Sequence, residues 1–272
     1  MNNYNDVLVK FNSLIEKNEF APFEGDLKVG VDLGTANIVL SVVDSNNTPI
    51  AGATYPSTVV RDGIVVDFIG ASRVVRRLKA QLEDLLGREL LYAATAIPPG
   101  IMEGNIKVIS NVVEASDFEV SNVIDEPTAA ASVLGITDGA VVDVGGGTTG
   151  ISILKEGKVV FTADEPTGGT HMTLVLAGYF KTSFEEAEKI KKDASRESEV
   201  FPVIKPVVQK MAAIVNRFIQ GYDVDVIYVV GGACTFKDFE KVFEKETGIK
   251  TIKPKEPLLV TPLGIAMNST LE

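Results

Sequence analysis

The chain has 272 residues, 26 Lys and Arg against 37 Asp and Glu, and a formal net charge of −11, which argues against a basic nucleic-acid binder or a polybasic membrane-surface protein. Hydrophobic residues at 45% and charged residues at 23% are those of a globular protein and exclude disorder as the dominant state. Cys234 is the only cysteine and His171 the only histidine, so neither an intramolecular disulfide nor a Cys/His zinc site can form, and with no secretory signal pattern and no apolar run near the ~20 residues that span a bilayer, the sequence predicts a protein of the reducing cytoplasm.

In chain order, residues 4 to 20 are predicted as a leading helix, because Val7, Phe11, Leu14 and Ile15 share one face at i, i+4, i+7 and i+8. Pro22 and Gly25 interrupt it, so residues 1–25 read as an N-terminal helical extension that docks either on the body or on a partner. Strands follow at 28–33 and 37–43, split by a Gly-Thr turn, then extended stretches at 55–60 and 64–68, and a helix at 72–86 burying Val75, Leu78, Leu82 and Leu85. Strand 92–97, helix 105–115, strand 120–124 and an Ala-rich helix at 127–134 alternate as in an α/β sheet with parallel strands. A second glycine-bent hairpin comprises 140–144 and 150–155, extended by 159–163. The rest reads as helices 173–180, 184–192 and 203–220, strand 226–230, helix 236–247 and a short helix from Pro262.

The two hairpins match each other. Val31-Asp32-Leu33-Gly34-Thr35 followed by Ile38-Val39-Leu40 has the pattern of Val142-Asp143-Val144-Gly145-Gly146-Gly147-Thr148-Thr149 followed by Ile151-Ser152-Ile153. Asp32 and Asp143 lie 111 residues apart, far beyond a solenoid period, so the repeat predicts two similar domains. Gly/Thr turns present backbone N–H groups and hydroxyls without side-chain obstruction, which suits phosphate oxygens. A carboxylate beside each turn opposes phosphate unless a hard cation intervenes, and hydrated Mg²⁺ held by carboxylates and phosphates meets that need. Neither turn fits G-x-x-x-x-G-K-[ST] or G-x-G-x-x-G, so P-loop and Rossmann sites have no support. One such hairpin alone reads as a tight turn; its duplication, Asp included, favours a ligand site.

Residues 30–37 and 143–149 resemble the two phosphate loops of the actin, sugar-kinase and heat-shock-chaperone ATPase superfamily. Residues 124–131 are similar to the first connecting helix of DnaK-type chaperones, residues 229–233 to the adenosine loop and residues 261–266 to the second connecting helix, all in family order. Residues 33–37, 62–68 and 187–191 add a similarity to the bacterial actin MreB, and the short length and leading helix resemble the ethanolamine-utilisation members of the superfamily. The resemblance implies an α/β actin-like ATPase fold of two duplicated ribonuclease-H-like domains with a nucleotide cleft between them. Domain I would comprise 26–135 plus 258–272, with its peripheral subdomain reduced, and domain II 136–257. It implies ATP and Mg²⁺ as cofactors, with Asp32 and Asp143 orienting the metal through water. Gly34, Thr35, Ala36 and Asn37, with Gly145, Gly146, Gly147, Thr148 and Thr149, would hold the β- and γ-phosphates. Glu126 would orient or deprotonate the attacking water, forming the catalytic set with Asp32 and Asp143. Glu188 and Lys191 would lie near adenine and ribose, and the nucleoside would lie against Gly231, Gly232 and Ala233. The plain alternatives are a Glu126 favoured by the helix macrodipole and an exposed Glu188–Lys191 pair at i,i+3.

Other expectations concern departures from the family. Gly168-Gly169-Thr170-His171 stands where chaperones and MreB carry acidic residues, and His171 reads as a helix N-terminal or solvent-facing residue. Cys234 reads as a packed small residue. The interval from Asp44 to Gly63 is too short for the usual inserted subdomain, and a counterpart of the chaperones' catalytic lysine is missing, so hydrolysis is expected to be slow. No peptide-binding domain follows residue 267, which excludes a complete DnaK-type chaperone. The resemblance implies a weak Mg²⁺-dependent ATPase acting as a chaperone-like or assembly factor in ethanolamine catabolism, with protein partners there and a bacterial microcompartment as its place of action. An MreB-like filament or scaffold and, last, a small-molecule kinase are the alternatives. Neither nucleic acid nor membrane is expected as a partner.

Overall fold

The computed structural model describes residues 4–61 and 63–271 and contains two five-stranded sheets wound alike. In the first, β1 (Leu27–Leu33), β2 (Asn37–Asp44) and β3 (Pro49–Pro56) form an antiparallel meander, and β6 (Tyr92–Ile97) and β7 (Glu119–Asp125) continue it in parallel, in the order β3-β2-β1-β6-β7. The second repeats this plan with β8 (Gly139–Val144), β9 (Thr149–Lys155), β10 (Lys158–Glu165), β11 (Val226–Val230) and β12 (Lys250–Ile252), in the order β10-β9-β8-β11-β12. The repeat visible in the sequence as two hairpins is therefore a repeat of whole sheets. A separate two-stranded ribbon pairs β4 (Val60–Arg61) with β5 (Ile64–Val65); Asp62 between them lies outside the described residues.

The helices are α1 (Tyr4–Lys17), α2 (Phe68–Leu86), α3 (Glu103–Glu114), α4 (Glu126–Leu134), α5 (Gly169–Phe180), α6 (Phe184–Lys192), α7 (Glu197–Ile219), α8 (Phe239–Thr247) and α9 (Val260–Met267). The α2 face expected from periodicity is buried at Val75, Leu78 and Leu82, with Leu86 completing it and Leu85 half-buried. The helix starts at Phe68 and not at 72, because the Asp67 side chain accepts from the Gly70 N–H at 2.8 Å and caps it there; the extended stretch expected at 64–68 shrinks to β5. The stretch expected at 55–60 is instead β3 at Pro49–Pro56, whose Ala51-Gly52-Ala53 centre has little intrinsic strand preference. Packing decides there: a Cβ on Gly52 would stand 2.7 Å from the Phe11 ring, so the missing side chain makes the seat for α1. The helix expected from 236 begins at Phe239, after a 3-10 turn over Gly232–Cys234, and β12 is a strand the sequence pattern did not reveal.

Of the two docking readings for the leading helix, packing on the body is the observed one. Leu8 and Phe11 are fully buried in a cluster that includes Val39 and Val43 of β2 and Leu263 of α9. Burying each such side chain contributes roughly 1.5–3 kcal/mol. The helix ends at Lys17, where Asn18 turns into the left-handed region with φ 50°. Small residues bring α4 and α9 together: a Cβ on Gly264 would lie 1.9 Å from the Ala129 carbonyl oxygen. On the other side of α9, a Cβ on Gly30 would stand 2.4 Å from the Ala266 nitrogen, which seats that helix on β1. α9 thus crosses directly behind the β1 strand that carries Asp32.

Candidate functional site

Strand β1 ends at the turn leading to β2, and β8 at the turn leading to β9, and both turns open on one cavity of about 580 Å³. Its lining includes Asp32, Gly34, Thr35, Ala36 and Asn37 from the first sheet, and Asp143, Gly145, Gly146, Gly147 and Thr148 from the second. Glu126, Glu188, Lys191, Gly231, Gly232 and Ala233 also line it, so residues scattered over more than 200 positions converge on one site. Thr149 is the exception. It is the first residue of β9, buried, with its hydroxyl donating to the Thr167 carbonyl at 2.5 Å; strand pairing turns it away from the cavity, and it is not available to a phosphate there.

The second turn is closed by the Gly145 N–H donating to the Thr148 carbonyl at 2.9 Å. In the first, a Cβ on Gly34 would stand 2.7 Å from the Asn37 carbonyl oxygen, so the turn is tight enough to require glycine. The turns touch: a Cβ on Gly146 would be 3.1 Å from Thr35 Cβ. Behind the second turn lies the Gly168–Thr170 segment, whose contacts the sequence left open. The Gly169 N–H donates to the Gly145 carbonyl at 2.9 Å, and the Thr170 N–H to the Gly146 carbonyl at 2.7 Å. A Cβ on Gly168 would come within 2.7 Å of the Gly145 oxygen, which explains the paired glycines at the start of α5. His171 sits in the first turn of that helix, as expected, and its Nδ1 accepts from the Gly168 N–H at 3.4 Å.

Asp32, Asp143 and Glu126 form an unpaired acidic group in the cavity lining. Burial and then the nearby Asp143 charge push Asp32 up to about 7. Burial pushes Asp143 up to about 6, against a hydrogen bond donated by the Thr261 hydroxyl of α9 that favours its charged form. Glu126, first residue of α4, is raised well above the ordinary carboxylate range by burial, then by Asp143 and Asp32. Its neighbour Asp125 caps the helix, accepting from the Thr128 N–H at 2.9 Å. Among the described residues no cationic group offsets any of the three; the Asp143 charge raises Asp32, and both raise Glu126. Gly231, at φ 92°, leaves room for this arrangement, since a Cβ there would lie 2.3 Å from Asp143 Oδ1.

On the far wall Lys191 and Glu188 form an ion pair at 2.7 Å, with side chains only 12% and 24% exposed, so this is not the solvent-exposed pair of the plain alternative. Burial lowers Lys191, and Glu188 is lowered too, burial being outweighed by Lys191 and by hydrogen bonds. Sequence reasoning missed Thr261 as a carboxylate partner, although it lies within the quoted 261–266 segment, and it missed Phe236 and Leu258 as apolar lining. Cys234 is buried, with its Sγ donating to the Gly231 carbonyl at 3.1 Å and burial pushing the thiol up, so it packs as expected. Among the described residues no helix is long and apolar enough to cross a membrane.

Comparison with known proteins places this geometry. The model of a family described as type IV pilus assembly protein PilM matches residues 92–257. The ethanolamine utilization protein EutJ of Escherichia coli K12 is 44% identical over 247 residues, covering 90% of this chain and 87% of that protein. The crystal structure of EutJ from Carboxydothermus hydrogenoformans superposes with a TM-score of 0.93 at 52% identity, covering 97% of each chain. The crystal structure of MreB5 of Spiroplasma citri bound to ADP superposes with a TM-score of 0.70 at 19% identity, covering 88% of this chain and 94% of that one. The fold is the two-domain actin-like ATPase fold.

Proposed function

The chain belongs to the EutJ family of ethanolamine utilization proteins and to the wider PilM family, and from that premise we propose that it binds ATP with Mg²⁺ in the cleft and acts, as a slow ATPase, as a chaperone-like or assembly factor in ethanolamine utilisation, with a microcompartment as its place of action. The observation that carries the nucleotide is the meeting of two glycine turns, each next to an Asp, at one cavity. The backbone of the glycine turns suits the β- and γ-phosphates, and Gly231, Gly232 and Ala233 leave a flat backbone surface for the nucleoside. The donor set fits a hard cation: Asp32 and Asp143 are both buried acids, the Asp143 charge raises Asp32 with no cation among the described residues to offset it, and they are the residues that would hold Mg²⁺. When bound, the ion supplies charge neutralisation between carboxylate and phosphate. Glu126 serves as general base, its raised pKa bringing it towards the range where a carboxylate can take a proton from water. The pathway rests on the names of the relatives, and the cytoplasm is the compartment that suits a single buried thiol.

Isothermal titration of ATP with and without Mg²⁺, on the chain and on Asp143→Ala, followed by phosphate release, tests the reading. Binding that requires Mg²⁺ and weakens about tenfold or more in the variant is expected. Absence of ATP binding at millimolar concentration would overturn it.

A further inference from the structure

The two ends of α9 are held by different sheets. Its C-terminal end lies on the first: Lys28 Nζ donates to the Met267 carbonyl at 3.0 Å, Asn122 Nδ2 donates to the Asn268 carbonyl at 2.9 Å, and Gly30 of β1 makes room for Ala266. Its start is stitched to the second. The Gly231 N–H, just after β11, donates to the Pro257 carbonyl ahead of the helix at 2.9 Å, and the Thr261 hydroxyl in the first turn of α9 donates to Asp143 Oδ2 near the end of β8. Thr261 and Asp143 are 4% and 6% exposed, so water competes little for this bond.

The bond fixes more than one oxygen. The torsion that turns an aspartate carboxylate about its last bond is broad and roughly two-fold, so an untied carboxylate swings readily. Here Oδ2 is taken by Thr261, while Oδ1 occupies the space that Gly231 leaves, where a Cβ would stand 2.3 Å from it. Among the described residues nothing donates a hydrogen bond to Oδ1. One oxygen is anchored and the other is left for a further donor, such as the water shell of a hard cation.

We infer that Thr261 is a positioning residue: from a helix seated on the first sheet it holds the Asp143 carboxylate of the second by Oδ2, and it leaves Oδ1 as the oxygen available to a hydrated cation. The role toward the cation rests on the nucleotide reading above; the hold on the carboxylate does not. The acid of one half is thereby set from the other half, so its orientation depends on how α9 sits between the sheets.

The test has two readouts in wild type, Thr261→Val and Thr261→Ser: the orientation of the Asp143 carboxylate in crystals of the ligand-free chain, and ATP affinity titrated with and without Mg²⁺. Valine keeps the shape and removes the hydroxyl, whereas serine keeps the hydroxyl. For Thr261→Val the carboxylate is expected to turn or to split between orientations, with ATP affinity about tenfold weaker in Mg²⁺ and changed less than about twofold without it, the scale of a lost hydrogen bond to a charged group. Thr261→Ser should stay within about twofold of wild type in both titrations. An unmoved carboxylate in Thr261→Val would overturn the hold. Equal losses with and without Mg²⁺, or no loss in either, would overturn the role toward the cation, as would a serine variant as weak as the valine one. Should wild type bind no ATP, the nucleotide reading fails while the crystals still decide the hold. If Thr261→Val does not fold, Thr261→Ala removes the same hydroxyl and is read by the same two measures with the same expected directions.

Discussion

The two sheets share one strand order and differ in what holds them. In the first, α1 lies over β3, with Phe11 seated where Gly52 leaves room; in the second, β10, at the equivalent position, leaves Val159 and Val160 exposed. At the turns the asymmetry is reversed. The second is backed by the Gly168–Thr170 segment and its Asp143 takes a hydrogen bond from Thr261, whereas the Asp32 carboxyl of the first has no hydrogen-bond partner among the described residues. A duplication reproduces a backbone frame, because register and crossover are properties of the strands themselves. The supports come from elements outside the repeated hairpins, and they are where the halves have diverged.

The largest effects should come from removing those supports. Phe11→Ala removes a fully buried ring from under α1 and should cost about 3–5 kcal/mol in urea denaturation. Its counterpart Phe161→Ala on β10 removes a partly buried ring tilted against Phe218 and Tyr222 at centroid distances of 6.0 and 5.2 Å, and should cost about half as much. Equal costs would mean that α1 is no more than a cover. At the turns, Gly231→Ala forces a left-handed backbone and a Cβ onto Asp143 and the Val144 carbonyl, for an expected loss of about 2–3 kcal/mol. Gly34→Ala brings a Cβ within 2.7 Å of the Asn37 carbonyl oxygen but needs no left-handed backbone, and should cost less, about 1–2 kcal/mol. Both are read from the same denaturation series.

What the sequence made legible was whatever repeats or alternates. The Asp-Gly-Thr hairpins stood out because they occur twice, and β6, α6 and β11 appear with their expected bounds because their patterns are regular and their ends marked. α7 shows the limit. A helix was expected over 203–220, yet it begins at Glu197 and carries both Pro202 and Pro206 inside it. Val200, Ile204, Val208, Met211 and Val215 are all fully buried at helical spacing, and the burial of that stripe outweighs the backbone bonds the prolines forgo. Of the site, every proposed residue except Thr149 reached the cavity, since glycines and acids in short turns have few places to go. The buttress at Gly168 and the Thr261 bond stayed hidden because they join segments distant in the chain, and no local pattern encodes such a partnership.

The smallest and sharpest comparison is between the two aspartates as the pH changes. An acid whose pKa is higher folded than unfolded keeps its proton in the native state where the unfolded chain has lost it, so stability falls as pH rises between the two values. For Asp32 that window runs from about pH 4 to about 7, and for Asp143 from about 4 to about 6. Within each window the slope is about 1.4 kcal/mol per pH unit. Thermal melts of the ligand-free chain should therefore show lower stability at pH 7.5 than at pH 5, with Asp32→Asn flattening the difference more than Asp143→Asn. The asymmetry has two sources: the Thr261 hydrogen bond favours the charged form of Asp143 alone, and the Asp143 charge adds to the shift of Asp32. Because the Asp143 charge is the second cause of the Asp32 shift, Asp143→Asn also eases Asp32, and the double variant should fall short of the sum of the singles. Thr261→Val should bring the pH dependence of Asp143 closer to that of Asp32; an unchanged profile would mean that the difference between the turns does not arise at α9.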